Sequence, residues 1–465
     1  MSHFIPPKPA ALSEKPGLIA RIRASVRSSL ALFQAGSYDG LAVSRFSIPT
    51  FPSLKRRWLY TVRDPAQVRE MLVARPNDFP KSVMMGRMLR SLTGDSIFTT
   101  NGAVWRRQRD LIDPALEQAR IKESFERMRQ AADAALIDLE ARRARDPVVP
   151  VCDAMTHFAA DVIFRTIFSE PIEPRSGRRA FAAFKTFQTL AYAHGMVRLS
   201  GLPTLVFPGT LPAMFAAWRI RQVMKEPLDR RLAAHCAGAP PVNDILGTLL
   251  SGGAGQKGGC FCPRELLDQI CMIFLAGHET SAAAMAWALY LLANSPEDQE
   301  RVRREVLDAA GDGPLEFAHL RRLDFTRDVF REAMRLYPPV AFVARDTTRP
   351  ECLGKREVQP ESVVFIAPWL LHRNAALWTA PDEFRPCRFA TEEGRASAKS
   401  AFLPFSMGAR VCPGAAFAVQ EGVLMLAMAV RRFDLEPVPE RAPVPYAKMT
   451  LGSANGIHVR MRMRS

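Results

Sequence analysis

The sequence predicts a mainly α-helical protein with small β-sheets, built around one long central helix. Three observations predict it. From about residue 102 onward, apolar residues recur at helical spacing between proline and glycine punctuation, and strand-like runs such as "SVVFIAP" (362–368) stay short. The regular strand–helix alternation of a doubly wound sheet is absent. Residues 263–294 are apolar nearly all round, so a helix of about 45 Å should run through the middle of the protein.

In chain order, residues 1–40 are expected to form an N-terminal arm and a basic amphipathic helix, and 41–465 a single folded unit. Pro6, Pro7, Pro9 and Pro16 suggest a mobile arm. Within 18–33, Leu18, Ile22, Val26 and Leu30 share one stripe beside Arg21, Arg23 and Arg27. That pattern suits an outer helix packed on its own protein, or peripheral contact with a membrane surface. The Gly/Pro-rich stretch 237–259 reads as surface loops flanking a short helix. Its Gly253-x-Gly255-x-x-Gly258 mimics a dinucleotide fingerprint, but no strand precedes it and no Gly-Lys-Ser/Thr follows. Pro263 suits the first turn of the central helix, and Ser295-Pro296-Glu297-Asp298 caps the next one.

Composition narrows the function classes. Hydrophobic residues make up 48% and charged residues 24%, a globular balance. Lysine and arginine number 63 against 47 acids, so the net charge of +16 attracts acidic proteins, anionic lipid or nucleic acid. No zinc-finger, helix-turn-helix or basic-aromatic RNA motif is present, which argues against nucleic acid. The eight cysteines are scattered and no secretory signal precedes them, so reduced thiols in a cytoplasm are expected. Cys260 and Cys262 lack the second pair of a metal site. No run of about 18 uninterrupted apolar residues suggests a spanning helix.

Chemistry-bearing residues cluster in four places. The central helix contains "AGHETS" (276–281), where Gly277 weakens the helix and Glu279 and Thr280 put polar groups in an apolar setting. Thr280 either serves a site or bonds back to a carbonyl one turn earlier. A zinc-protease H-E-x-x-H fails because position 282 is Ala282. Glu332 and Arg335 share a helical face in "FREAMRLYPPV" (330–340), and "EFRPCRF" (383–389) supplies Arg388. In "FSMGARVCPG" (405–414), Gly408 and Gly414 permit a sharp turn, Arg410 adds charge, and a helix starts just after Cys412. Such a frame suits a thiolate metal ligand.

These residues resemble the cytochrome P-450 haem-thiolate monooxygenases. The signature F-x-x-G-x-R-x-C-x-G is met by Phe405, Gly408, Arg410, Cys412 and Gly414. Ala276-Gly277-x-x-Thr280, Glu332-x-x-Arg335, the aromatic-Arg-Pro segment and "WRRQR" (105–109) follow the family's order, so the resemblance covers about residues 80 to 460. It implies haem b buried between the long helix and the cysteine loop, with Cys412 as iron ligand. Thiolate donation favours O–O cleavage. Thr280 and Glu279 would form a proton relay through a water. Trp105, Arg109, Arg345 and Arg410 would meet the haem propionates, while Ala276, Gly277, Phe405 and Gly414 would touch the macrocycle or its ligand loop. Glu332, Arg335 and Arg388 would brace that loop as a buried charge network. Two positions depart from the family pattern. Cys387 replaces the family's glutamate before Arg388, with little change expected. Pro413 removes an N–H beside the sulfur, so the thiolate should accept one hydrogen bond fewer.

By family position the substrate pocket draws on 82–92, Phe274, Ala276, 340–344 and 449–451, with 181–218 as lid. Its apolar, methionine-rich walls imply a lipophilic small molecule. The segment after Cys412 is too short for a reductase domain, so electrons should come from a separate protein, with an acidic ferredoxin suited to the basic charge. Alternatives are a peroxide-driven or isomerising haem-thiolate enzyme, or a non-catalytic haem-thiolate sensor or ligand carrier.

Overall fold

The computed structural model describes residues 3–8, 44–49, 56–199, 209–251 and 259–464. The amphipathic stretch 18–33, the glycine triplet at 253–258, and 200–208 of the expected lid lie outside the described residues. Among those described, the helices of ten residues or more are α1 (Val83–Thr93), α2 (Gly102–Ile112), α3 (Gln118–Arg145), α4 (Val151–Phe168), α5 (Pro174–Leu199), α6 (Thr210–Cys236), α7 (Pro263–Ala293), α8 (Pro296–Ala310), α9 (Asp324–Leu336), α10 (Glu392–Ala401) and α11 (Ala415–Arg432).

The expected 263–294 helix is α7, and its N-terminus explains itself. Pro263 stands in the first turn, and Glu265 accepts the N–H of Cys262 in a capping box. The polar "AGHETS" stretch does not interrupt α7, which runs as continuous α-helix throughout. Ser295 precedes α8 as expected, although its side chain makes no capping hydrogen bond. Helices α4, α9 and α11 pack around α7, and α5 pairs with α6. Gly277 lets α4 come close, since a Cβ there would lie 3.0 Å from Ile163. Trp287 of α7 stacks on Tyr337 at 3.7 Å between ring centroids and donates its indole N–H to the Leu451 carbonyl.

The sheets are small. In the four-stranded one, Ser44–Pro49 pairs antiparallel with Arg56–Val62, which pairs in parallel with Val363–Ile366, itself antiparallel to Val343–Asp346. The 362–368 run thus becomes an interior strand, its Val363–Ile366 fully buried as a continuous apolar stretch requires. A three-stranded sheet joins Val148–Pro150, His458–Met463 and Phe433–Glu436, and a hairpin pairs Pro445–Ala447 with Leu451–Ser453. No described helix is long and apolar enough to cross a membrane.

The described part of the N-terminal arm is docked rather than loose. Phe4 packs edge-on against Tyr290 and its carbonyl accepts the Phe384 N–H at 2.9 Å. Tyr337 donates its hydroxyl to the Pro7 carbonyl at 2.8 Å, and Lys8 pairs with Asp382. Proline favours this outcome, because a chain with few accessible conformations loses less entropy on docking.

Candidate active site and cofactor cradle

The cysteine loop is shaped by its glycines. Gly408 adopts φ +71°, and a Cβ there would stand 2.1 Å from the Leu72 carbonyl oxygen, so both conformation and space demand glycine. The Val411 N–H donates to the Gly408 carbonyl and the Cys412 N–H to the Phe405 carbonyl at 2.9 Å, closing the loop. Pro413 offers the sulfur no N–H, but the Gly414 N–H donates to it. Cys412 is accessible, yet burial pushes its thiol up, against the Gly414 N–H and the Arg109 charge. Neither helper overcomes burial, so a cation at the sulfur is what would hold it as thiolate.

Central helix α7 supplies another wall. Cys271–Leu275 and Ala284–Ala293 are buried, whereas Ala276 is exposed and Thr280 and Ala283 are partly so. These three recur at i, i+4 and i+7, so they form an accessible stripe on the middle of the helix, with Gly277 and Glu279 beside it also partly accessible. The Thr280 hydroxyl donates to the Ala276 carbonyl at 2.6 Å. Its proton is thereby committed and its oxygen is left as an acceptor. Glu279 accepts hydrogen bonds from Thr450 and Gln188, and burial pushes its carboxyl up. His278 turns away, wedged between Phe184 and Phe274 with its Nδ1 2.8 Å from the Phe274 carbonyl. Burial lowers it to about 4, which keeps it neutral.

Trp105, buried on α2, is ringed by cations: Arg410 at 4.2 Å from the ring centroid, Arg106 at 5.4 Å and Lys81 at 6.0 Å. Lys81 and Arg345 face each other across a backbone bridge. Arg109 pairs with Asp113 and donates to the Val411 carbonyl, tying α2 to the cysteine loop. Among the described residues no carboxylate pairs with Lys81, Arg345 or Arg410, and Nη1 of Arg410 is buried without a hydrogen-bond partner. Burial and mutual repulsion push Lys81 down to about 6, and Arg345 and Arg410 to about 10. Buried guanidinium groups without anions are costly unless a ligand brings the anions. A flat group with two carboxylates beside an accessible thiol, as in haem b, fits this cradle.

Behind the loop, Glu332 (α9) accepts two bonds from Arg335 at 2.7 and 2.8 Å, one from Arg388 at 2.9 Å and one from the Arg385 N–H at 2.9 Å. Burial raises the carboxyl, but Arg335 and Arg388 outweigh it and hold it below its ordinary value. Arg335 also donates to the carbonyls of His372, Pro381 and Glu383. His372 carries the brace to the cysteine loop, since its Nδ1 meets the Arg335 carbonyl and its Nε2 accepts the Leu403 N–H at 2.8 Å.

Glu421, on α11, is buried against Ser281 of α7, with Oε1 lacking a partner. Burial pushes its carboxyl up from 4.5 to about 8, so it is neutral at pH 7. A raised acid contributes its full stability below about pH 4.5 and loses it as pH rises through about 8. Glu421→Gln should therefore match wild type in urea unfolding near pH 5 and exceed it above pH 8, by on the order of 4 kcal/mol. Parallel pH profiles for the two proteins would show that Glu421 is charged at neutral pH.

Most expected residues converge. Cys412, Gly414, Arg410, Arg109, Trp105 and Arg345 gather around the loop and cation cradle, Ala276 and Thr280 lie on the accessible stripe, and Glu332, Arg335 and Arg388 form one network. Two lie differently. The bare side of Gly277 faces Ile163 of α4, and Phe405 lines a groove with Phe317, Leu320 and Val419 on the outer side of α11. Lys81, His372 and Glu421 escape sequence reasoning. Arg345 and Arg410, expected at the same cradle without matching acids, were the signal available for Lys81; the other two gave none.

Comparison with known proteins identifies the family and the fold. The Cytochrome P450 family model matches residues 53–457. The chain is 31% identical over 362 residues to cyclooctatin synthase of Streptomyces melanosporofaciens, covering 78% of this chain and 77% of that protein. It is 28% identical over 422 residues to taurochenodeoxycholic 6 alpha-hydroxylase of Sus scrofa, covering 87% and 82%. The crystal structure of the cytochrome P450DA heme domain shares the fold, with a TM-score of 0.81, 23% identity, and coverage of 99% of this chain and 98% of that one. The family match spans most of the chain, and the chain belongs to the cytochrome P450 family of haem-binding monooxygenases.

Proposed function

We propose that this monooxygenase inserts one oxygen atom from O2 into a lipophilic small molecule, by hydroxylation or epoxidation, with haem b held on Cys412 and residues 41–465 acting as one catalytic unit. The observation that carries it is the Glu279–Thr280 pair on α7, where a carboxyl pushed toward its protonated form adjoins a hydroxyl on the accessible stripe. Peroxide-driven and isomerising enzymes have no need of such a pair. When bound, haem supplies the redox-active iron that activates dioxygen. Arg345 and Arg410 would neutralise its propionates, Lys81, pushed down to about 6 without an anion, would regain its proton beside them, and Gly414 and Arg109 would support the negative sulfur. Thr280, its own proton spent on Ala276, accepts a hydrogen bond from a water and so orients it. Glu279 replenishes that water after rotating away from Thr450 and Gln188. The similarity to a protein named taurochenodeoxycholic 6 alpha-hydroxylase supports a lipophilic substrate.

Electrons come from a separate acidic ferredoxin in this reading. The groove of Phe317, Leu320, Phe405 and Val419 carries Arg321 and Arg327, a basic rim on an apolar floor beside the cysteine loop. Reconstitution with an acidic ferredoxin, its reductase and a panel of lipophilic compounds tests the reading. Product should depend on reductant and O2, reduction should slow as salt rises, and Thr280→Ala should divert most electrons from product to peroxide. Product formed without reductant would replace the proposal with a peroxide-driven or isomerising enzyme, and haem binding without any turnover would favour a sensor or carrier.

A further inference from the structure

The hairpin of Pro445–Ala447 and Leu451–Ser453 has two unlike faces. Ala447 and Leu451, directly opposite each other, are buried in the core, whereas Tyr446 and Lys448 on the other face are partly exposed. Its turn is closed by the Lys448 N–H on the Thr450 carbonyl at 3.2 Å, and the Leu451 N–H on the Pro339 carbonyl at 2.9 Å fixes it in place. Thr450 donates its hydroxyl to Glu279, the residue before Thr280 on α7. The turn is therefore held against α7 beside the accessible stripe.

This turn carries a cation without an anion. The Lys448 ammonium donates to the Thr189 hydroxyl of α5 at 3.3 Å and lies 5.3 Å from the centroid of the Tyr446 ring. No carboxylate pairs with it among the described residues. Glu279, the acid that the turn does touch, is bonded to Thr450 and Gln188, and burial pushes it toward its neutral form. Lys185, one turn before Thr189 on the same face of α5, is exposed and has no carboxylate partner among the described residues either. Burial pushes the Lys448 ammonium down, as expected of a cation drawn partly out of water with nothing to offset the loss. A carboxylate would offset it, and two hydroxyls are in place to donate to the same group. Thr189 stands at the ammonium, and Tyr446 is kept protonated because burial and Glu279 push it up to about 12.

We propose that Lys448, with Thr189 and Tyr446, is an anion subsite of the substrate pocket, and that the lipophilic substrate is a carboxylic acid held there by its carboxylate. The proposal rests on the oxygen-insertion reading given above and narrows its substrate class. With the charged end tied to the hairpin turn and α5, the apolar body lies along Ala276 and Thr280, so a single salt link selects both the molecule and its direction in the site.

Equilibrium dialysis of the full-length haem-loaded protein against two matched pairs tests this: dodecanoate with dodecanamide, and farnesoate with its amide. Within a pair the skeleton is shared and the charge is not. In at least one pair wild type should bind the acid about tenfold more tightly than the amide. Lys448→Met should erase that preference by weakening the acid and leaving the amide unchanged, Lys448→Arg should keep it, and Tyr446→Phe should reduce it a few-fold. Haem content and the carbon monoxide spectrum establish that each variant is folded; should Lys448→Met fail, Lys448→Gln carries the same comparison. Equal binding of acid and amide by wild type, or binding of neither, overturns the proposal. So does an acid preference that survives in Lys448→Met, which would place the anion elsewhere, and so does equal loss of acid and amide, which would make Lys448 a packing residue of the hairpin. These titrations use no reductant, so a tightly held acid that is never oxygenated would overturn the catalytic reading and leave the subsite standing.

Discussion

Cys412→Ser is expected to lose the red-shifted Soret band of the reduced carbon monoxide complex, to retain little haem through purification, and to fall to background turnover. Even an outer-shell partner of a metal ligand is worth about 10–100-fold in affinity, and removal of the ligand itself should exceed that. The substitution is nearly isosteric, and the loop does not depend on the sulfur for its shape. Gly408 at φ +71° and the Cys412 N–H bond to Phe405 remain. What changes is the donor. Burial already opposes ionisation of the thiol, and a serine hydroxyl is far harder to ionise in the same surroundings. The matched control is Cys387→Ser, an exposed cysteine near Arg388, which should keep the thiolate band. A band that survived in Cys412→Ser would end the assignment of this residue.

How much of this was legible depends on the kind of information each feature needs. Cys412, Thr280 and the Glu332–Arg335 pair stand at fixed short spacings, and a local frame of glycine, arginine or helix periodicity accompanies each. The long apolar helix was equally plain, because burial on all sides leaves no polar stripe to confuse its period. Lys81, His372 and Glu421 are different. Each acts through a partner far along the chain: Lys81 beside Arg345, His372 between Arg335 and Leu403, Glu421 against Ser281. No periodicity marks such pairs. The arm misled for the opposite reason. Its prolines suggested mobility, but the acceptors it offers to Phe384 and Tyr337 become visible only when 337 and 384 lie side by side.

Glu332→Ala should be the most damaging substitution in the brace, costing about 3–5 kcal/mol and yielding protein with little haem. Among the described residues Glu332 is the single carboxylate bonded to both Arg335 and Arg388, and all three are buried. Without it two guanidinium groups keep their carbonyl acceptors but face each other uncompensated, and the Arg385 N–H loses its acceptor. Removing one arginine leaves a better remainder. In Arg388→Ala the bidentate Arg335 pair survives, so its effect should be the smallest. In Arg335→Ala, Glu332 keeps one bond from Arg388, and His372 loses the guanidinium bond to its carbonyl while its Nδ1 keeps the backbone carbonyl of residue 335. The expected order of destabilisation is therefore Glu332, then Arg335, then Arg388. Urea unfolding and the rate of haem transfer to an acceptor apoprotein both report it. Because the brace reaches the cysteine loop through His372, the haem-transfer rates should follow the same order as the stabilities. Equal haem retention across the three variants would mean that the network holds the fold without holding the loop.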